Sequence, residues 1–404
     1  MRLLIVTAGT RGDVAPFTGL GRRLQEAGHE VAVAAHDVFA ALVTGCGLEH
    51  RSLPGDPGEL ARARAAAPSP DAARAVFAGY LEQLGDGLVE AVSAGTSAVL
   101  TASGPAPLAR TVAEAYGIPS IGTFLLPAVP TVEFALPGWP ETGDLGPEAN
   151  LAAGRRLLAG ADALFADVLT GLRSRLGLAH APDRTRAAPP PGWPVLHGVS
   201  PSVVPRPHDW PAEARVTGYW WPARPLGWRP SQALQAFVDA EPAPVFLGFG
   251  SMGSEAPGRL SSLVSEAVAG AGVRAVVQAG CGGVVPSGDD VLLVGDVPHD
   301  WLFPRMAAVV HHAGAGTTAA GLRAGVPAVC VPFLLDQPFW AARLHQLGVA
   351  PPALPAGALE AGVLAAAMRT VLDDPAYGQR AADLAGRIAA EDGAAAVLAA
   401  VEGL

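Results

Sequence analysis

The most restrictive feature of this chain is a rhythm in which apolar runs of strand length alternate with helical stretches, and the rhythm starts twice. In the first series, Arg2–Thr7, His29–Ala35, Leu48–Leu53, Ala98–Ala102 and Ile118–Phe124 read as strands. Helices read at Pro16–Ala27, at Asp71–Ala94 and between the last two strands. The pattern fades through Pro127–Pro147, resumes as a helix at Asn150–Leu176, and fades again in proline-dense Pro182–Pro211, apart from a short strand near Val195–Val199. From Pro244 it restarts, with strands at Val245–Phe249, Arg274–Gln278, Val291–Val294, Ala307–His311 and Ala328–Phe333. Apolar strands separated by helices specify a parallel sheet covered on both faces. Two such series specify an α/β chain of two Rossmann-like, doubly wound domains in tandem. Ligands of open parallel sheets bind at the carboxyl ends of the strands, so the two domains are expected to face each other across a cleft that holds the site. Trp210–Pro230, dense in Trp and Pro, reads as a linker. The expected boundaries are 1–207 for the N-terminal domain, 208–230 for the linker and 231–381 for the C-terminal domain.

Composition narrows the chemistry. The net charge is −10, whereas a phosphate backbone calls for a basic face, so a nucleic-acid partner is excluded. All 27 basic residues are Arg, which removes Schiff-base and P-loop lysine mechanisms. Cys46, Cys281 and Cys330 lie far apart and form neither a disulfide framework nor a metal motif. The 10 His residues show no metal-ligand spacing with carboxylates, so no metal is expected. No apolar run approaches the ~20 residues that cross a bilayer, and the first strand is too short for a signal-peptide core. A soluble, cytoplasmic protein is the expectation; the oligomeric state is left open.

Three turns carry the chemistry. In Ala307–Ala320 a strand runs through His311-His312-Ala313-Gly314-Ala315-Gly316-Thr317-Thr318 into a helix. Small residues admit a ligand close to the backbone, and a helix N-terminus offers unpaired N–H groups with a positive dipole, the requirements of a phosphate site. A plain strand-to-helix turn has the same composition. His312 is preferred to His311 as the ligand, because successive strand residues point to opposite faces. The second turn, Gly248-Phe249-Gly250-Ser251-Met252-Gly253, formally satisfies the dinucleotide fingerprint, and so does Gly314/Gly316/Ala319 with Asp336 20 residues after Gly316. An NAD(P)-dependent oxidoreductase is therefore an alternative, although Asp336 lies beyond the strand that should end with it. The third turn is Thr7-Ala8-Gly9-Thr10-Arg11-Gly12-Asp13-Val14-Ala15-Pro16. Pro16 reads as the first turn of a helix and Asp13 as near its N-cap, where Asp is favoured. A carboxylate at the end of a strand is equally placed to take a proton.

In order and spacing, these turns together resemble GT-B-fold family 1 glycosyltransferases, specifically the bacterial natural-product and sterol-glucosyltransferase-like branch. Arg11–Pro16 is similar to that branch's N-terminal signature, Gly248–Met252 to the start of its C-terminal domain, His311–Thr318 to its diphosphate motif with Ala313 in place of the usual Gly, and Asp336-Gln337-Pro338-Phe339-Trp340 to its sugar-recognition pair. The resemblance implies an inverting, metal-independent transfer of a deoxyhexose or hexose from a dTDP- or UDP-sugar to an apolar aglycone such as a polyketide, as in antibiotic biosynthesis, with no cofactor beyond that co-substrate. It implies Asp13 as base and His312, Gly314, Gly316, Thr317 and Ser251 at the diphosphate. It places Asp336 and Gln337 on the sugar, and Val297 and His299 in the nucleotide-base loop. Phe124, Phe134 and Trp139 read as an acceptor pocket or as ordinary packing. The last helix, 382–404, is expected to cross back to the N-terminal domain. A catalytically inactive partner protein of the same fold would carry the same motifs.

Overall fold

The computed structural model describes residues 1–140, 144–179, 190–250, 257–279 and 288–404. The chain divides into two compact units. Met1–Leu136, Asp144–Gly227 and Asp392–Leu404 form the first; Pro137–Gly143 and Trp228–Glu391 form the second.

In the first unit, β1 (Arg2–Val6), β2 (Glu30–His36), β3 (Glu49–Leu53), β4 (Ala98–Thr101), β5 (Ser120–Phe124), β6 (Val195–His197) and β7 (Ala214–Val216) form one sheet. Its order is β3-β2-β1-β4-β5-β6-β7, and the pairings are parallel. The connecting helices are α1 (Arg11–Glu26), α2 (Ala40–Gly45), α3 (Pro57–Ala65), α4 (Pro70–Ser93), α5 (Ala106–Ala115) and α6 (Pro147–Arg175). Alternation along β1 divides the core. Leu3 and Ile5 pack with Phe17, Leu20 and Leu24 of α1 on one face, and Leu4 and Val6 with Leu81, Leu84 and Leu88 of α4 on the other.

Two expectations need correction here. The helix after β1 begins at Arg11, not at Pro16, which lies inside it. Thr10 caps the helix early, and the proline costs it one backbone donor, which would have met Gly12. The expected linker is also part of the first unit as far as Gly227. Ala214–Val216 within it is β7, paired with β6, and Trp220 is buried against Phe17 at 5.9 Å.

The second unit holds β8 (Val245–Gly248), β9 (Ala275–Gln278), β10 (Val291–Val294), β11 (Ala308–His311) and β12 (Ala328–Cys330), in the order β10-β9-β8-β11-β12. Its helices are α7 (Gln232–Asp239), α8 (Pro257–Ala271), α9 (His299–Leu302), α10 (Ala315–Ala324), α11 (Gln337–Gln346), α12 (Ala361–Asp373) and α13 (Pro375–Ala389). Val245 and Leu247 face Val264, Leu364 and Met368, whereas Phe246 faces Leu302, Phe303 and Leu234. The strand order reverses beside β1 in the first sheet and beside β8 in the second. Crevices for ligands open at such reversals, past the carboxyl ends of the strands.

The C-terminal segment is divided at Asp392. The helix α13 stays with the second unit, and α14 (Gly393–Glu402) belongs to the first. There Val397 and Val401 enter the core beside α1, and the Trp220 indole donates to the Gly393 carbonyl at 3.0 Å. No helix among the described residues is long and apolar enough to cross a membrane.

Candidate active site

The turn after β1 is organised around Asp13. Thr10 is the N-cap of α1 and Asp13 its N3 residue, not the cap itself. Asp13 Oδ2 accepts the Thr10 N–H at 2.7 Å and the Thr10 hydroxyl at 3.0 Å, the acidic half of a capping box. The Thr7 hydroxyl donates to the Asp13 carbonyl at 2.7 Å. Gly9 has φ 142°, and a side chain there would collide with the Asp13 carboxylate. The carboxylate is thereby fixed, half-buried, at the reversal of the first sheet.

The second unit assembles a turn from β8 and β11, which are neighbours in the sheet. His311 is buried, and its Nδ1 accepts the Ala313 N–H at 3.0 Å. Burial, then His312 and His299, push its pKa down to about 3. His312 is only partly buried. Its ring lies between Gly250 and Gly314: a Cβ on Gly250 would come within 2.8 Å of the ring, and one on Gly314 within 2.5 Å of Nε2. Burial lowers its pKa despite the Gly248 carbonyl nearby, and Nδ1 makes no hydrogen bond among the described residues. Gly314 is the N-cap of α10 and supplies no side-chain cap. The first-turn N–H groups of Gly316 and Thr317 therefore lack the partner a Ser or Asp cap would give, while that of Ala315 faces the Asp336 carboxylate. A Cβ on Gly316 would meet nothing within 4 Å, so packing does not require glycine there, and the open space suits a ligand at the helix N-terminus.

Ala313 sits where a glycine would be unstrained. It is fully buried at φ 61°, a left-handed conformation that costs an L-residue about 1–2 kcal/mol. Ala313→Gly is expected to raise stability by about 1 kcal/mol, read as a higher urea midpoint. A lower midpoint would show that packing of the methyl outweighs the strain.

Asp336 is the N-cap of α11, past β12. Its Oδ2 accepts the Trp340 indole N–H at 2.8 Å. Burial raises its pKa, while the Trp340 indole and backbone groups at Asp336 and Ala315 favour the charged form. The Ala315 contact brings Asp336 to the N-terminus of α10. Gln337 is buried, and its Oε1 accepts the Phe333 N–H at 2.7 Å and the Leu334 N–H at 3.2 Å. Its carbonyl oxygen therefore holds the loop. Val297 lies in the core, and His299 stacks on Phe303 at 4.2 Å with Phe246 edge-on at 5.7 Å. Ser251 lies outside the described residues.

Phe124 packs edge-on against Trp193 and His197 in a small core cluster. Phe134 is half-buried in the first unit, whereas Trp139 falls in the segment that clusters with the second. Sequence reasoning passed over His36 and Tyr80, which pair at 3.0 Å in the first unit. A histidine ending an apolar strand, the signal that singled out His311, was present at His36 too. It also missed Glu133, His208 and Asp209, an exposed group whose ligand atoms lie within 4.8 Å of one another. His208 Nδ1 and Glu133 Oε1 are 2.8 Å apart there, across 75 residues of sequence.

Comparison with known proteins gives the family. Residues 3–134 match the glycosyltransferase family 28 N-terminal domain, and residues 272–404 match the C-terminal domain of the erythromycin biosynthesis protein CIII-like family. The chain is 38% identical to an O-mycaminosyltylonolide 6-deoxyallosyltransferase of Streptomyces fradiae, over 97% of this chain and 95% of that one. It is 33% identical to a sterol 3-beta-glucosyltransferase of Arabidopsis thaliana over 98% of this chain, which spans 64% of that longer protein. Among solved structures, SsfS6 of Streptomyces sp. SF2575, complexed with thymidine diphosphate, matches with a TM-score of 0.66 at 23% identity over 100% of both chains. SnogD of Streptomyces nogalater matches with a TM-score of 0.70 at 20% identity, over 100% of this chain and 99% of that one. The oxidoreductase alternative is thereby overturned, in keeping with an Asp336 that caps α11 instead of ending a strand. The chain belongs to the GT-B-fold glycosyltransferases, in the branch that joins bacterial natural-product glycosyltransferases with sterol glucosyltransferases.

Proposed function

We propose that this glycosyltransferase moves a deoxyhexose or hexose from a dTDP- or UDP-sugar to an apolar small-molecule aglycone such as a polyketide, with inversion and with Asp13 as base. The relatives favour a deoxysugar on a thymidine carrier and an apolar acceptor: one is named a 6-deoxyallosyltransferase, another acts on sterols, and one structural neighbour holds thymidine diphosphate.

In this reading the acceptor oxygen attacks the anomeric carbon from the side opposite the diphosphate. The new carbon–oxygen bond forms as the bond to the diphosphate breaks, and the acceptor proton passes to the Asp13 carboxylate. The leaving diphosphate gathers negative charge. The N-terminus of α10, the Thr317 hydroxyl and an N–H of His312 are the groups that would take up that charge. Asp336, beside the same helix end, and the Gln337 amide would hold sugar hydroxyls.

The observation that carries the reading is the His312 ring leaning over Gly314, a cap residue with no side chain to fill the N-terminus of α10. His312→Ala is expected to weaken dTDP binding by about 10- to 100-fold, the range for a hydrogen bond to a charged group. Calorimetry with dTDP and UDP measures it, and an unchanged affinity removes His312 from the site.

A further inference from the structure

The first unit holds a polar pair for which the reaction just described has no use. Tyr80 is half-exposed on α4, and His36 is fully buried at the end of β2. Their hydroxyl and Nε2 are 3.0 Å apart, and His36 Nδ1 lies 3.3 Å from the Leu53 carbonyl. Burial lowers the His36 pKa, so the ring is neutral near pH 7 and carries one proton. The carbonyl can only accept, which assigns that proton to Nδ1 and leaves Nε2 to accept from the tyrosine. The phenol is then fixed as a donor to His36, and among the described residues no group donates to its oxygen. The ring itself is clamped, with Phe77 stacked at 6.0 Å. Gly55, at φ 94°, also packs close: a Cβ there would come to 3.0 Å of the ring.

This oxygen sits on the Asp13 side of the unit. Val6 pairs with Ala34, so two residues further on His36 is level with Ala8, in the turn that holds Asp13. Ala8 and Tyr80 border the same apolar cluster. The phenol also feels the Asp13 charge, which adds to burial in pushing it up to about 12.

We propose that Tyr80, held by His36, is a positioning residue for the acceptor: its oxygen receives the hydrogen bond of a second hydroxyl on the aglycone while Asp13 takes the proton of the reacting one. The proposal rests on Asp13 being the base, and it names the acceptor class as an apolar skeleton with two neighbouring hydroxyls. A partner limited to stacking on Phe77 and Tyr80 would not need a phenol oriented by a buried histidine.

The test compares 2,3-dihydroxynaphthalene with 2-naphthol, two probes differing by one hydroxyl, by fluorescence titration in the presence of dTDP. The full-length protein is expected to bind the diol about 5- to 10-fold more tightly, the range for one hydrogen bond. Tyr80→Phe is expected to erase that preference by weakening the diol alone. His36→Gln, whose amide can accept from Tyr80 and donate to Leu53, is expected to keep part of it. Equal loss of both probes in Tyr80→Phe, or a preference that survives it, overturns the proposal. Calorimetry with dTDP on the same proteins reports on the second unit. Failure of wild-type protein to bind dTDP would count against the donor reading and not against Tyr80.

Discussion

Asp13→Asn is expected to cut turnover by at least ~100-fold, the usual contribution of a general base, while dTDP affinity stays at the wild-type value. The substitution separates two roles that one carboxylate combines. As the N3 acid of the α1 capping box, Asp13 accepts from the Thr10 N–H and hydroxyl. An asparagine oxygen can still accept from that N–H, so stability should fall by no more than about 1 kcal/mol. The amide cannot take a proton, so the chemical step loses its base. Asp13→Ala should lose both the cap and the base, lowering the unfolding midpoint as well as the rate. Single-turnover rates with a dTDP-sugar, set beside urea midpoints for the two variants, distinguish the roles. Near-normal turnover in Asp13→Asn would reduce Asp13 to a capping residue.

The double role also shows where the sequence is legible and where it is not. Both sheets could be read because strands buried on two faces must be apolar throughout, and Leu3–Val6 or Val245–Leu247 have no other stable environment. The turns after β1, β8 and β11 could be read because close approach and helix capping restrict residue type at Gly9, Gly250 and Gly314. Short or aperiodic elements left little trace. Three residues suffice for β7, set among prolines, because it gains its register from β6. Trp220 is placed by Phe17 and by the Gly393 carbonyl, which are 203 and 173 residues away in sequence. The Tyr80–His36 pair spans 44 residues. Asp13 reads as near the N-cap because Asp is itself a good cap, but Thr10, three residues earlier and also a good cap, starts the helix sooner. In each case a contact distant in sequence, or a competition between two good local residues, decided the outcome.

Acid is expected to destabilise each unit most strongly through its most deeply lowered histidine, before the carboxylates titrate. His197 in the first unit is completely buried, with Nδ1 3.1 Å from the Arg215 carbonyl, and burial lowers its pKa to about 4. In the second unit His311 is lowered to about 3, again chiefly by burial. Unfolded, both return to about 6.5. Between those limits the unfolded chain binds the proton and the folded one does not. Stability is therefore fully present above about pH 6.5 and is lost as pH falls toward 4 for His197 and 3 for His311. The slope approaches about 1.4 kcal/mol per pH unit per histidine, or about 2 kcal/mol each between pH 7.5 and 5. Carboxylates held low by hydrogen bonds, such as Asp209 and Glu213, titrate below their ordinary values of 3.8 and 4.5, under the pH range of the test below. Asp336, raised by burial, works in the opposite direction. His311→Gln can still accept the Ala313 N–H but cannot titrate, so urea unfolding between pH 7.5 and 5 should lose about 2 kcal/mol less in that variant than in the wild type. Identical losses in the two proteins would mean that His311 takes up its proton without unfolding the second unit, and that the turn bearing His312 is open to water.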